Sequence, residues 1–436
     1  MKKIAYVHTG ISSQLISYWD YAHYVDQLIY ADDLPHFNLE EFGAVIISCH
    51  CHSDRILPHK KQLNDYVRMG GFLLVFALDQ ADQLLDVVSI EWVDSKTKDW
   101  LWWTKPGGKV ELYVPDHKNH SFFDFVKPEN LGWHWHGSFK GNHNGTALLA
   151  IEDTDESVIV DFQGLEGGGR VFITTLDPHS HNGQRFMPAA IKLLKQFYPW
   201  INNELGIDRN KINPFKVAYL QTTSFDSENT PSYLAQTFEG TGGQIEYYGV
   251  RPIPDEVWDC DIIYYPGLGD NIYMQRYSDR MMEYVKNGGQ LILNIEVAVC
   301  WLPFLKPFQT VPPTPYTNIK VRVENDPFEF FKNMPDDFDG WSGIIGQYSR
   351  GFTQLPENAI GLTSIGAENA KHASDYIWQY PTLDGSGGKV FVHNGDNMVR
   401  YPDHGEHKEC LVRDICVGLM KYRRAVVPFA GVQVKE

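Results

Sequence analysis

A chain of 436 residues is long enough for two or three domains with cores of their own, and 43% hydrophobic and 21% charged residues are ordinary for a globular protein. A formal net charge of −17 with no Lys/Arg-rich run excludes phosphate backbones and anionic lipid surfaces as natural partners, and no apolar run is long enough to cross a bilayer. Six cysteines without framework spacing suit a reducing compartment, so the expected location is cytoplasmic, or virion-associated if the gene is viral.

The first three residues are basic, but the apolar stretch behind them breaks at His8, which predicts a first strand over 3–7 and not a signal peptide. A Tyr-rich helix is expected over 13–31, a strand over 42–48, a helix opened by Pro over 58–69, and a strand over 72–77. Strands alternating with helices predict a doubly wound parallel sheet. From Ser89 to Phe162 the pattern changes to short alternating segments (KVELYV, TALLAIE, SVIVDF), which predict antiparallel strands added to that sheet. A buried strand returns over 168–176, followed by a helix over 184–197 and a junction over 202–213. The pattern restarts with strands over 215–221, 261–265 and 290–295 and closes on a helix over 406–422. The Pro-rich stretch 302–316 reads as an extended surface connection.

The chain echoes itself. LNDYVRMGGFLLVF (63–76) returns as MMEYVKNGGQLILN (281–294), each an amphipathic helix stopped by a Gly pair before an apolar strand. IAYVHTG from Ile4 matches VAYLQTT from Val217, and GGRVF from Gly168 matches GGKVF from Gly387. SFFDFVKPENLGWHWHGSF from Ser121 resembles DPFEFFKNMPDDFDGWSG from Asp326, with Trp133 against Trp341. Four landmarks in one order, roughly 215 residues apart, predict two homologous units, 1–212 and 213–436. The expected fold is α/β: two tandem flavodoxin-like doubly wound parallel-sheet domains, each with an antiparallel β insertion.

FGAVIIS, the helix ending YVRMGG, the strand LLVF and GGGRVFITTLDPHSH together resemble the class I glutamine amidotransferase-like superfamily, particularly its trehalose-utilisation-type branch. The resemblance covers most of both units. It implies a Cys nucleophile, flanked by Gly, on a sharp turn after the LLVF-type strand, and a later His-Pro-Glu. Here Ala77-Leu78-Asp79-Gln80 and Ile295-Glu296-Val297-Ala298 stand at those turns, with neither Cys nor flanking Gly. His179 matches the family His without a following Glu, and Met398 stands opposite it in the second unit. The implied triad is therefore degenerate, with Asp79 and His179 as the remaining catalytic candidates.

Ligand sites of doubly wound sheets lie beyond the carboxyl ends of the strands. That edge of the first unit carries His8, Cys49-His50-Cys51-His52, Asp79, and Asp177 with His179 and His181. Of the 17 histidines, 13 precede residue 213, so a working site is expected in the first unit. Three His-x-His pairs occur, His50/His52, His134/His136 and His179/His181; in extended chain each offers two nitrogens on one face, with Asp177 or Asp79 adding an oxygen. The expected ligands of a divalent metal such as zinc are His50, His52, His179, His181 and Asp177. The plainer reading is of loop histidines bonded to carbonyls or water, since no segment has a recognised ligand spacing. Asp79 and its counterpart Glu296 read either as helix caps or as an acid/base. Cys49 and Cys51, with His50 or His179 as base, read as nucleophiles or as small buried residues, and Cys300 follows the second unit's strand too late for the family position. Trp100, Trp102, Trp103, Trp133 and Trp135 either stack on a sugar or partner chain or form the apolar face of the insertion; His8, Trp133 and Trp135 are the substrate-binding candidates.

Three functions are compatible with these residues. The two broken turns favour a non-catalytic binding or assembly component of a larger complex, with protein partners and a homo-oligomer both compatible. The histidine asymmetry favours a metal-assisted hydrolase or related enzyme on a carbohydrate-like substrate. The third is an amidotransferase with an unusual nucleophile.

Overall fold

The structure, a computed structural model, describes residues 2–94, 111–115, 119–140, 144–222, 230–340, 345–346, 348–395, 398–400 and 410–427. Trp100, Trp102, Trp103, Trp341 and the first residues of the expected closing helix lie outside them. The chain divides into two compact units, Met1–Arg209 and Asn210–Glu436. Among the described residues no helix is long and apolar enough to cross a membrane.

Unit 1 has strands β1 (Lys3–His8), β2 (Gln27–Tyr30), β3 (Phe42–Ile47), β4 (Phe72–Phe76), β5 (Glu91–Val93), β6 (Leu112–Tyr113), β7 (Ser138–Lys140), β8 (Thr146–Ile151), β9 (Glu156–Phe162) and β10 (Arg170–Thr174). Its helices are α1 (Ser12–Tyr21), α2 (Ser53–Ile56), α3 (Lys60–Arg68), α4 (Ala81–Leu84), α5 (Phe122–Phe125), α6 (Pro178–Gly183) and α7 (Pro188–Glu204). The sheet runs β2-β1-β3-β4-β10-β9-β7-β5, with β8 also on β9 and β6 on β8. The first five strands of that order are parallel, and β9, β7 and β5 continue it antiparallel. Strand alternation sends Ala5, Val7, Val45, Leu73 and Val75 to one face, where Leu63, Tyr66 and Val67 of α3 cover them. On the other face Tyr6 meets Tyr18 of α1, and Phe76 and Phe172 meet Phe197 of α7. Both faces are thus covered, as unbroken apolar strands require.

Unit 2 has a sheet of its own, ordered β12 (Gly243–Gly249), β11 (Phe215–Gln221), β13 (Ile262–Tyr265), β14 (Gln290–Asn294), β22 (Lys389–His393), β21 (Asp375–Gln379), β18 (Ala359–Gly361). It is parallel as far as β22 and antiparallel beyond. Helices α8 (Thr230–Thr237) and α11 (Leu411–Lys421) pack Leu234, Leu411 and Ile415 against Tyr219 and Ile292, while α10 (Ser278–Lys286) packs Met281 and Val285 against Leu220 and Leu293. The short helix α9 (Asn271–Met274) precedes α10. Small antiparallel ribbons, β15 (Gln309–Thr310) with β17 (Gly351–Phe352) and β16 (Arg322–Val323) with β19 (Thr363–Ala367) and β20 (Ala370–Ala373), complete the unit.

Several expectations need correction. The first helix stops at Tyr21, and Gln27–Tyr30 is a strand; Gly243–Gly249 is a second strand the pattern did not reveal. Both lie at sheet edges, where one side of the strand meets solvent and the apolar run is lost. The Pro-rich stretch is not a purely surface connection, because Leu302, Phe304, Leu305 and Val311 are buried. Neither elbow carboxylate caps a helix: Gln80, with φ 57, holds the N-cap of α4, and no helix follows Glu296.

Candidate metal centre

The loops at the carboxyl edge of the unit 1 sheet bring five residues together: His50, His134, His136, Asp177 and His181. His50 sits on the turn after β3 in the left-handed region (φ 57), held there by its amide donating to the Ala77 carbonyl at 3.2 Å. Gln14, fully buried in α1, clamps the same turn through the Cys49 carbonyl at 2.7 Å. The segment Trp133-His134-Trp135-His136 runs past the end of β10, where the His136 amide donates to the Thr175 carbonyl at 3.1 Å. His134 and His136 both reach Asp177 from this segment. Asp177 is the N-cap residue of α6 and His181 lies one helical turn on, so both address one point.

Asp177 is the hub. Its Oδ2 lies 3.1 Å from His50 Nε2 and 3.2 Å from His136 Nε2, and its Oδ1 lies 3.2 Å from His181 Nε2 and 3.8 Å from His134 Nε2. His134 Nε2 and His181 Nε2 are themselves 3.1 Å apart. All four imidazoles present the same ring nitrogen. Burial raises the carboxyl pKa, but the contacts with His136, His181 and His50 outweigh it and hold Asp177 well below the usual carboxylate range. Burial pushes the His134 pKa down to about 4, against the pull of Asp177, so that ring is neutral at physiological pH and has a lone pair to give.

The donor set suits a borderline divalent ion such as zinc. Metal–ligand bonds of about 2.0–2.1 Å in a tetrahedron separate neighbouring ligand atoms by roughly 3.3 Å, close to the separations around Asp177. Its buried Oδ1 accepts no aligned hydrogen bond from the described residues although two imidazole nitrogens face it. A coordinated oxygen has that arrangement.

The remaining candidates separate from this cluster. His179 is fully buried, with Nδ1 3.2 Å from Cys49 Sγ and Nε2 3.2 Å from the Tyr198 hydroxyl, packed edge-on to Tyr6 and Phe76. Burial takes its pKa down to about 3 and raises the Cys49 thiol well above its ordinary value, with the charge of Asp177 adding to the latter. Both ring nitrogens of His179 thus face Cys49 and Tyr198 in the core, and the structure does not place it with the expected metal ligands around Asp177. Burial also raises the Cys51 thiol, to about 11, which disfavours its thiolate. His52 is exposed at the start of α2, outside the cluster. His8 is buried against Tyr30, its Nδ1 accepting from the Gly10 amide, and burial lowers its pKa to about 4. Trp133 and Trp135 are 1% and 8% exposed, interior residues and not a stacking platform. Asp79 is exposed beyond β4, and its carbonyl accepts from the Ser53 hydroxyl.

Sequence spacing identified three histidine pairs but not which members share a point. The one local signal was Asp177 and His181 at helical spacing, hidden by a segment that reads as loop.

At the corresponding edge of unit 2, Leu268 has a positive φ like His50, but it is 82% exposed, and Met398 is buried. Among the described residues the His/Asp groupings of metal-holding geometry all fall in unit 1.

No family model matches the chain, and no curated protein sequence matches it. Among solved structures, the exo-β-1,4-mannosidase Op5Man5 from Opitutaceae bacterium strain TAV5 aligns with a TM-score of 0.29 and 12% identity, over 47% of this chain and 35% of that one. The α-L-fucosidase isoenzyme 2 from Paenibacillus thiaminolyticus aligns with a TM-score of 0.28 and 9% identity, over 47% and 33%. The chain spans about a third of the length of each.

Proposed function

We propose that unit 1 is a divalent-metal-dependent hydrolytic unit whose metal centre is built from His50, His134, His136, Asp177 and His181, in groupings that meet at Asp177. The carrying observation is a buried carboxylate with four imidazole Nε2 atoms 3.1–3.8 Å from its oxygens, at the sheet edge where α/β units bind ligands. A bound ion of this kind supplies an activated water at neutral pH. The chain's part is to orient the imidazoles, through the His50 turn and the α6 turn, and to keep water to the side of His50 and His136, whose side chains are 35% and 17% exposed. The interior position of Trp133 and Trp135 removes the support for a sugar-stacking surface there, so the reading is of metal-activated water without a carbohydrate subsite built on those residues. Elemental analysis of protein purified without a His-tag tests it. Stoichiometric zinc, manganese or iron is expected; protein that binds none of them on reconstitution overturns the reading.

The chain as a whole is read as two tandem class I glutamine amidotransferase-like, flavodoxin-like domains without the Cys nucleophile. The matching parallel strand orders β2-β1-β3-β4-β10 and β12-β11-β13-β14-β22 support the duplication. A second reading, of a binding or assembly role, is favoured for unit 2 by Leu268 and Ile272, 82% and 70% exposed at its carboxyl edge, which suit a protein partner or a second copy. Six free cysteines support a cytoplasmic setting.

A further inference from the structure

We infer that the unit 1 centre holds two metal ions bridged by Asp177, one buried and one open. The inference rests on the metal-centre reading and adds its nuclearity. The ligand atoms form two groups, His50/His136/Asp177 and His134/Asp177/His181, each contained within 4.8 Å and sharing only the carboxylate. Each group uses its own oxygen: His50 and His136 approach Oδ2, His134 and His181 approach Oδ1. The two oxygens of one carboxylate direct their lone pairs apart, so ions bound at about 2.0–2.2 Å to each sit roughly 3.5–4 Å from one another, the separation of two-metal hydrolytic sites. Each group then contributes three protein ligands and leaves one tetrahedral position, which is the catalytic pattern and not the closed structural one.

The two positions are unequal. His134, Asp177 and His181 have side chains 6%, 4% and 8% exposed, whereas His50 and His136 are 35% and 17% exposed. The inner ion is sealed by protein, and the outer ion faces the solvent from which substrate arrives. Consequently the inner ion exchanges slowly and the outer ion is removed first by a chelator. Substitution of His50 takes away an outer ligand at a half-exposed position and leaves the inner set complete.

Reconstitution of tag-free protein with Mn2+ tests this by metal content and electron paramagnetic resonance. Two ions per chain with an exchange-coupled spectrum are expected in the wild type, and one ion with an uncoupled spectrum in His50→Ala, whose circular dichroism matches the wild type. His134→Ala and His181→Ala should each lose the slowly exchanging ion. One ion per chain in the wild type overturns the bridged pair and leaves a single-metal centre standing. Two uncoupled ions that persist in all three variants overturn it as well, because the second ion then lies elsewhere. No bound ion at all overturns the metal reading itself.

Discussion

A carboxylate sealed from water costs several kcal/mol unless its partners compensate. Asp177 is compensated by imidazoles at the candidate centre, whereas His179, two residues on, faces Cys49 and Tyr198 in the core. His179→Ala should therefore leave metal content unchanged and lower stability by about 2–3 kcal/mol, measured by denaturant unfolding. Loss of metal with stability intact would return His179 to the site. Arg170 and Lys389 form a second contrast, both at the first position of a strand. Arg170 is flanked by Asp161 and Glu204, but Lys389 has no carboxylate within 4.0 Å among the described residues and donates to the Arg423 carbonyl. Burial, with the nearby charge of Arg423, pushes the Lys389 pKa down to about 7. The unfolded chain keeps the ordinary value of about 10.4, so between those limits the unfolded state holds more protons and stability rises with pH. At about 1.4 kcal/mol per unit of pKa difference, the rise amounts to a few kcal/mol. Lys389→Met should flatten it, as unfolding at pH 7, 8.5 and 10 will show; an equal rise in the variant would assign it to other groups.

At the scale of elements, the helix–Gly–strand joints carry the fold. Gly70 and Gly288 both adopt the left-handed conformation, with φ +94 and +91, closing α3 and α10 before β4 and β14. A Cβ on either would lie 3.1 Å from a backbone carbonyl, of Gly167 and of Ser386 respectively. Replacement by Ala should cost about 1–2 kcal/mol at each position, and replacement by Asn less, since Asn tolerates this conformation. Thermal melts of the four variants check the order. Equal losses for Ala and Asn would point to the close approach of Gly167 or Ser386 as the cause and not to φ.

On the scale of the whole molecule, each unit contains its own two-faced sheet core, and the residues from Asn210 to Pro214 are exposed or half-exposed between α7 and β11. Arg209 is tied to Asp26 by a 2.8 Å ion pair, so Lys211 is the accessible basic site. Limited trypsin digestion should cut there first and release two fragments that each unfold cooperatively, with bound metal following residues 1–211. A first cut inside either unit would contradict two independent cores.

How much of this was legible in the sequence follows the range of the interactions involved. Apolar runs such as FGAVII and FLLVF are buried on both sides wherever they fold, and a Gly pair after an amphipathic helix ends it by local sterics, so the central strands and their joints could be read directly. The edge strands Gln27–Tyr30 and Gly243–Gly249 could not, because half of each faces water and their pairing partners are set by the sheet. The histidine excess of the first unit and the positions of Asp177, His50 and His181 at strand ends were also visible. That His134 and His136 meet them, while His52 turns to solvent and His179 into the core, was decided only by the tertiary structure. Those choices depend on the positive φ of His50, the lie of 133–136 against Thr175 and the α6 turn. Such contacts join residues 47 and 127 positions apart, and no periodicity within one segment encodes them.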